Sequence, residues 1–99
     1  MLKVKKGVRI KGIETEALLA LLTAQTVYAE KGEEAVVTSV TDGMHMAGSL
    51  HHSGHAFDLR TRHLDAETAT TIHREIERRL PEYDAVLESD HLHIEYDPG

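Results

Sequence analysis

The stretch from which the fold prediction starts is Ser-Leu-His-His-Ser-Gly-His-Ala-Phe-Asp, residues 49–58. It holds two candidate metal ligands, His51 and Asp58, with Gly54 between them. Glycine permits the tight path or positive φ that would bring both side chains to one point. From Gly54 onward the residues alternate, with Phe57 on one face of a predicted strand and Asp58 on the other. The stretch therefore predicts a loop that passes into a strand and presents a carboxylate opposite the core.

Two further segments have the pattern of helices packed on a core. The first begins at Glu14, carries acidic residues in its first turn and ends at Gly32. The second begins at Asp65, a residue type that caps helix N-termini, and runs to about Leu80. The apolar face predicted for the first helix comprises Leu18, Leu19, Leu21, Leu22, Val27 and Tyr28.

The strands complete the predicted order of elements. Residues 7–13 alternate apolar and basic side chains, and residues 35–40 are β-branched. Two closing strands are predicted at about 83–88 and 91–96, the second of which alternates strictly. Residues 43–54 have no sustained period and are predicted to form a loop. The order β-α-β-loop-β-α-β-β predicts an α+β fold, with a mainly antiparallel sheet and two helices. The length of 99 residues predicts one domain, residues 1–99.

The composition excludes several classes of site and partner. Without cysteine the chain forms no disulfide and no thiolate zinc site, so any metal must bind to His, Asp or Glu, and eight histidines are present. A net charge of −6 argues against a nucleic-acid partner, and the lysines at 3, 5 and 6 are interpreted as the solvated start of a strand. No segment resembles a signal peptide or a membrane span, so we expect cytoplasmic synthesis and no membrane partner. We also expect a monomer.

A second motif, Asp-His-Leu-His at residues 90–93, supplies the missing ligand. Histidines at i and i+2 of a strand project from the same face, so His91 and His93 are expected to line one cleft. One of them, together with His51 and Asp58, would give two imidazole nitrogens and one carboxylate oxygen. That set binds Zn²⁺ and leaves a fourth position open, as in hydrolytic zinc sites, although other divalent ions would also be accepted.

The two motifs together resemble those of the zinc D-Ala-D-Ala carboxypeptidase family. The pattern Ser-x-His-x-x-Gly-x-Ala-x-Asp, followed by Asp-His-x-His, is similar to that of VanX/VanY-type peptidases and phage L-alanyl-D-glutamate endolysins. The amino-terminal domain of hedgehog proteins shares the family fold. The resemblance covers residues 49–58 and 90–93, implies a hedgehog/DD-peptidase-like fold, and makes His51, Asp58 and His93 the zinc ligands.

The resemblance also assigns roles around the metal. Asp90, three residues before the last ligand, would be the catalytic carboxylate that takes a proton from zinc-activated water and passes it to the leaving amine. Glu88 is the competing candidate, since a regular strand would turn Asp90 away from His93 unless the chain bends before His91. His91 would stabilise the oxyanion, its alternative being an ordinary surface residue. Ser49 would bind substrate, its alternative being a hydroxyl that caps a turn.

The chain departs from the family at one position. Several relatives carry an arginine that binds the substrate carboxylate after the strand preceding the first motif, where this chain has the acidic Asp42. Arg60 or Arg62 could take that role, or could simply lie on a solvated strand edge.

The function implied is that of a zinc metallopeptidase. It would hydrolyse D-amino-acid-containing peptide bonds of bacterial peptidoglycan stem peptides. Its origin would be a phage or prophage, and it would act on the cell wall once released. The alternative is a zinc-binding, non-catalytic interaction or structural module on the same fold, because fold does not fix function.

Overall fold

A five-stranded sheet with two helices on one face makes up the part of the chain that our computed structural model describes, residues 2–8, 15–40 and 56–97. Its elements are β1 (Leu2–Val4), α1 (Thr15–Glu30), β2 (Ala35–Val40), β3 (Ala56–Arg60), α2 (Ala66–Arg79), β4 (Tyr83–Leu87) and β5 (His91–Tyr96). Helix α1 contacts β2, β3 and β5, helix α2 contacts β4, and the helices contact each other. Both therefore cover the same face of the sheet.

The strands lie in the order β1-β2-β3-β5-β4. Only the pair β1 and β2 is parallel among these strands; β2 with β3, β3 with β5, and β5 with β4 are antiparallel. This confirms the prediction of a mainly antiparallel α+β fold with two helices. Strands β3 and β5, which carry residues of the two sequence motifs, are direct neighbours at the centre of the sheet.

Strict alternation along β3 and β5 separates the core from the open face of the sheet. Phe57, Leu59, Leu92 and Ile94 are buried against the helices. The intervening residues point to the other face, as expected for a pleated strand. The helices complete this core with Leu21, Val27, Tyr28, Ile72 and Ile76. On β3 and β5 the face opposite the helices therefore carries mainly polar side chains, among them Asp58 and His93.

The end of α1 and the start of α2 are those that the sequence predicts. Gly32 follows α1 with φ of +73°, a left-handed conformation that favours glycine. The backbone N–H of Glu33 donates to the carbonyl of Tyr28, which closes the last turn. At the start of α2, Asp65 Oδ1 accepts a hydrogen bond of 2.7 Å from the N–H of Thr68. Neither helix in the described part of the chain is long and apolar enough to cross a membrane.

The first strand lies earlier than predicted. The structure places it at Leu2–Val4 instead of residues 7–13. The chain turns after Lys5, where the N–H of Val8 donates to the carbonyl of Lys5 and Gly7 has φ of +91°. Residues 7 and 8 are therefore not in a strand, and the remainder of the predicted segment lies outside the described residues.

The apolar face predicted for α1 was wrong in part. Leu18, Leu19 and Leu22 are exposed. The buried face repeats at three- and four-residue spacing through Ala17, Ala20, Leu21, Ala24, Val27 and Tyr28. The alanines allow the helix to pack closely on the sheet, and this turns the flanking leucines outward.

Candidate metal and catalytic site

Asp58 and His93 meet on the open face of the sheet. They are direct partners in the antiparallel register of β3 and β5, and directly opposed residues have side chains on the same face. His93 Nδ1 lies 2.7 Å from Asp58 Oδ1. Each side chain is 23% exposed. The pair is thus partly shielded by the sheet and still accessible from solvent.

A second carboxylate holds the other side of the His93 ring. His93 Nε2 lies 3.1 Å from Glu95 Oε1. Since carboxylates only accept, both ring nitrogens donate and His93 is an imidazolium here. The hydrogen bond to Asp58, reinforced by the one to Glu95, raises the pKa of His93 to about 9 against the opposing effect of burial. Any metal that binds Nδ1 must displace this proton.

Asp90 and His91 form a second carboxylate–imidazole pair beside the first. His91 Nδ1 donates to Asp90 Oδ1 at 2.8 Å, and His91 Nε2 lies 3.9 Å from Asp58 Oδ2. The hydrogen bond from His91 lowers the pKa of Asp90, so this carboxylate is ionised at neutral pH. With Nδ1 engaged by Asp90, His91 Nε2 carries a hydrogen only when the ring is protonated.

A tight turn between β4 and β5 brings Asp90 to this face. The N–H of Glu88 donates to the carbonyl of His91 at 2.8 Å, and β5 begins only at His91. Asp90 therefore lies outside the strand, where the alternation of strand faces does not apply. The N–H of Thr61 donates to the carbonyl of Asp90 at 3.1 Å and ties this turn to the end of β3. The bend before His91 that the sequence required is present.

Asp58, Asp90 and His91 open onto a cleft of about 180 Å³, which we call the Asp58 cleft. Its walls consist of Lys5, Thr38, Ser39, Asp58, Arg60, Arg62, Asp90 and His91. An irregularity in β2 between Val37 and Ser39 shifts the register and sets Ser39 opposite Asp58. The cleft therefore runs across the sheet from the end of β1 to the β4–β5 turn.

Glu88 does not line the Asp58 cleft. It lies in the wall of a second cleft of about 450 Å³, together with Thr61, Leu64 and Leu87. Of the two carboxylates considered for the catalytic role, only Asp90 shares a cleft with Asp58 and His91.

Four of the six predicted site residues are thus brought together: Asp58, Asp90, His91 and His93. The other two, Ser49 and His51, lie outside the described residues. Within residues 2–8, 15–40 and 56–97, no three His, Asp or Glu side chains form a metal-binding group. The predicted zinc set therefore depends on His51 as its third ligand.

The donor chemistry of the described pair fits zinc. A tetrahedral ion bound at ~2.0–2.2 Å holds two ligand atoms roughly 3.3 Å apart. Replacing the shared proton would thus require Asp58 and His93 to separate slightly from their present 2.7 Å. Glu95 on the opposite ring nitrogen matches the carboxylates that orient histidine ligands in metal sites. The structure thus holds an imidazole ligand in His93, a carboxylate ligand in Asp58 and a supporting carboxylate in Glu95.

Sequence reasoning missed two contributors to this site. Glu95 could have been found, since it lies two residues after His93 and strand alternation puts both on one face. Lys5 carries no such signal, because it reaches the cleft only through the pairing of β1 with β2. Arg60 and Arg62 do line the cleft, as their proposed role requires.

Two histidines lie elsewhere. His63 Nε2 lies 3.0 Å from the carbonyl oxygen of Glu34, and His73 Nε2 lies 2.7 Å from that of Ala85. In each of these histidines, Nε2 thus contacts a backbone carbonyl away from the cleft.

Comparison with models of known protein families gives no match for this chain, and comparison with curated proteins gives none either. The family resemblance therefore rests on the two motifs alone.

Proposed function

We propose that this protein is a zinc metallopeptidase with a hedgehog/DD-peptidase-like fold. Its substrates would be peptidoglycan stem peptides, cut at bonds that involve D-amino acids, and its source a phage or prophage. The observation that carries the proposal is that Asp58, which contacts His93, lines one cleft together with the Asp90–His91 pair. A binding site for metal and a proton-transferring group would both face the same substrate.

His51, Asp58 and His93 would hold the metal. Bound there, zinc would supply a Lewis acid that activates water and polarises the scissile carbonyl. Glu95 would fix the orientation of the His93 ring through Nε2. The buried neighbours Phe57 and Ile94 anchor the two strands from the opposite face, which keeps the ligands in register.

Asp90 would transfer the proton. It is ionised, its side chain is 69% exposed, and it lies in the cleft that also holds Asp58. A carboxylate in this position takes a proton from the attacking water and returns it to the leaving amine. Glu88 faces a different cleft, which favours Asp90 in this role.

His91 would stabilise the negative charge that develops on the scissile carbonyl oxygen. That role needs an N–H directed into the cleft. His91 Nε2 can provide one when the ring is protonated, while the hydrogen bond from Nδ1 to Asp90 holds the ring in place. Asp90 would therefore support His91 with one oxygen and accept the proton with the other.

Mass analysis of purified stem peptides after incubation with the zinc-loaded protein tests the proposal. We expect fragments from cleavage at one bond next to a D-residue. The Asp90→Asn variant should bind the same amount of zinc and give no fragments. Zinc binding without cleavage of any stem-peptide bond would instead favour the non-catalytic module. Cleavage that persists after complete zinc removal would contradict the metal mechanism.

A further inference from the structure

The second cleft, which has no role in the proposed chemistry, lies at the same end of the sheet as the Asp58 cleft. We call it the Glu88 cleft. Its walls come from three segments: residues 61, 62 and 64 after β3, the first turns of α2, and residues 87–89 after β4. A volume of about 450 Å³ is typical of pockets that bind small molecules or side chains.

The Glu88 cleft adjoins the Asp58 cleft. Arg62 lines both of them. The N–H of Thr61 donates to the carbonyl of Asp90 at 3.1 Å, which fixes the two walls to each other. Glu88 and Asp90 are two residues apart in the chain, so their Cα atoms are at most about 7 Å apart. A single peptide is therefore long enough to reach from one cleft into the other.

The Glu88 cleft combines an apolar wall with one carboxylate. Leu64 and Leu87 are partly buried and pack against the core, so they offer apolar surface to a ligand. Among the described residues, Glu88 is the one carboxylate of this wall and forms no ion pair. The cleft thus offers both apolar contact and an unpaired negative charge.

Arg62 does not neutralise Glu88, although both line this cleft. No ion pair joins them in the described part of the chain. The charge of Arg62 acts on Asp90 instead: the hydrogen bond from His91 chiefly lowers the pKa of that carboxyl, and Arg62 adds to the effect. The negative charge of Glu88 is therefore left for a ligand.

A buried hydroxyl adds a second polar group to the Glu88 cleft. Thr61 lines the cleft and is only 6% exposed. Its hydroxyl forms no hydrogen bond within the part of the chain that the structure describes. Buried hydroxyls normally have a hydrogen-bond partner, and leaving one without a partner is costly. A ligand with hydrogen-bond donors would supply that partner.

We propose that the Glu88 cleft binds the ammonium-bearing side chain of a diamino residue in the peptide substrate. The subsite presupposes the proposed function, because the residue that it holds belongs to the peptide that is cut. The methylene groups would lie along Leu64 and Leu87, with the ammonium group against Glu88. An ammonium group has three N–H donors and no acceptor, so both Glu88 and the Thr61 hydroxyl would accept from it.

Other side chains fit the Glu88 cleft less well. An apolar side chain would desolvate Glu88 without giving it a partner, and an acidic one would be repelled by it. Because Glu88 and Asp90 are two residues apart, the bound residue would lie within about two residues of the bond that is cut. Lysine or another diamino acid of a stem peptide has the required chemistry.

Binding of three synthetic pentapeptides tests the subsite. The probes are L-alanyl-γ-D-glutamyl-L-lysyl-D-alanyl-D-alanine and the forms with norleucine or alanine in place of lysine. Calorimetry with zinc-loaded Asp90→Asn measures binding without hydrolysis. We expect the norleucyl peptide to bind about fivefold more weakly than the lysyl peptide, as loss of a partly exposed ion pair predicts. The alanyl peptide should bind about tenfold more weakly again, because it lacks the methylene groups.

Variants of the cleft assign the effect to its residues. Glu88→Gln, made in the same background, should weaken binding of the lysyl peptide about fivefold and leave binding of the norleucyl peptide unchanged. Thr61→Val keeps the shape of the side chain but removes the hydroxyl, and should weaken binding of the lysyl peptide about threefold. Glu82→Gln removes one carboxylate from an exposed position before β4 and should change neither affinity.

Equal affinity for the lysyl and norleucyl peptides would overturn the subsite. Absence of binding, or equal effects of Glu88→Gln and Glu82→Gln, would overturn it as well. In the protein with Asp90 intact, Glu88→Gln should raise KM for the lysyl peptide and keep the rate at saturating peptide, as loss of a pure binding contact predicts.

Hydrolysis by the unmutated protein separates the subsite from the peptidase proposal. If the protein cuts the lysyl and norleucyl peptides with equal KM, the subsite is wrong and the peptidase proposal stands. If it prefers to bind the lysyl peptide through Glu88 but cuts no bond, the subsite stands and the peptidase proposal fails.

Discussion

Asp58 and His93, 35 residues apart in the chain, are joined by a 2.7 Å contact between Oδ1 and Nδ1 across two neighbouring strands. A shift of one residue in the pairing would turn one of them into the core, since the faces of a strand alternate. Phe57 and Ile94, paired beside them and buried, oppose such a shift. The hydrophobic pattern of β3 and β5 thus fixes the geometry of the polar site.

Zinc affinity should rise steeply with pH in the neutral range. His93 has a pKa of about 9 without metal, and zinc must displace that proton. Between pH 7 and 8 the apparent affinity should therefore increase about ninefold, against roughly 1.3-fold for a histidine with an ordinary pKa of ~6.5. Competition with a chromophoric chelator of known pH dependence measures this. Equal affinities at the two pH values would show that His93 is not a ligand.

Glu95→Gln should reduce the pH dependence of stability in the metal-free protein. Since the folded pKa of His93 lies above its ordinary value, its stabilising contribution is complete below about pH 6.5 and is lost as pH rises through about 9. Glu95 helps to raise that pKa, so its replacement should make the loss between pH 6.5 and 9 smaller. Urea unfolding with chelator present measures the difference. Glu82→Gln, at an exposed position before β4, should behave like the unmutated chain.

Replacing Asp90 should lower the rate of hydrolysis far more than replacing Glu88. Asp90→Asn should lower the rate of stem-peptide hydrolysis by at least about a hundredfold, the usual contribution of a general base, with zinc content unchanged. Glu88→Gln should keep the rate within about twofold, because Glu88 lines the other cleft. The reverse pattern would assign the proton transfer to Glu88.

Much of this arrangement could be predicted from local patterns. Alternation placed Phe57 in the core and Asp58 outside it, and Asp65 marked the start of α2. These signals are local because side-chain direction in a strand and hydrogen bonding at a helix start depend on adjacent residues.

What could not be predicted depends on contacts between distant segments. Lys5 reaches the cleft because β1 pairs in parallel with β2, and no local pattern encodes that pairing. Leu19 looked like a core residue, yet a face of small alanines packs on the sheet instead. Glu88 and Asp90 were not separable in the sequence, since the turn between β4 and β5 assigns them to different clefts.

Tyr28→Phe should lower the free energy of unfolding by about 1 kcal/mol. The hydroxyl of this fully buried side chain donates to the carbonyl oxygen of Arg60 at 2.9 Å, and phenylalanine keeps the ring but removes the donor. Urea denaturation monitored by circular dichroism measures the loss. Because Arg60 is held by the pairing of β3 with β5 as well, zinc content should not change. An unchanged unfolding midpoint would show that the hydrogen bond contributes nothing.

The zinc content of purified Asp58→Asn shows whether Asp58 is a metal ligand. Asparagine keeps the size of the side chain and its acceptor for His93, but lacks the charge that a metal ligand supplies. We predict about one zinc per chain in the unmutated protein, a loss of nearly all zinc in Asp58→Asn, and full zinc in Asp97→Asn, an exposed control at the end of β5. Full zinc in Asp58→Asn would show that Asp58 does not bind the metal.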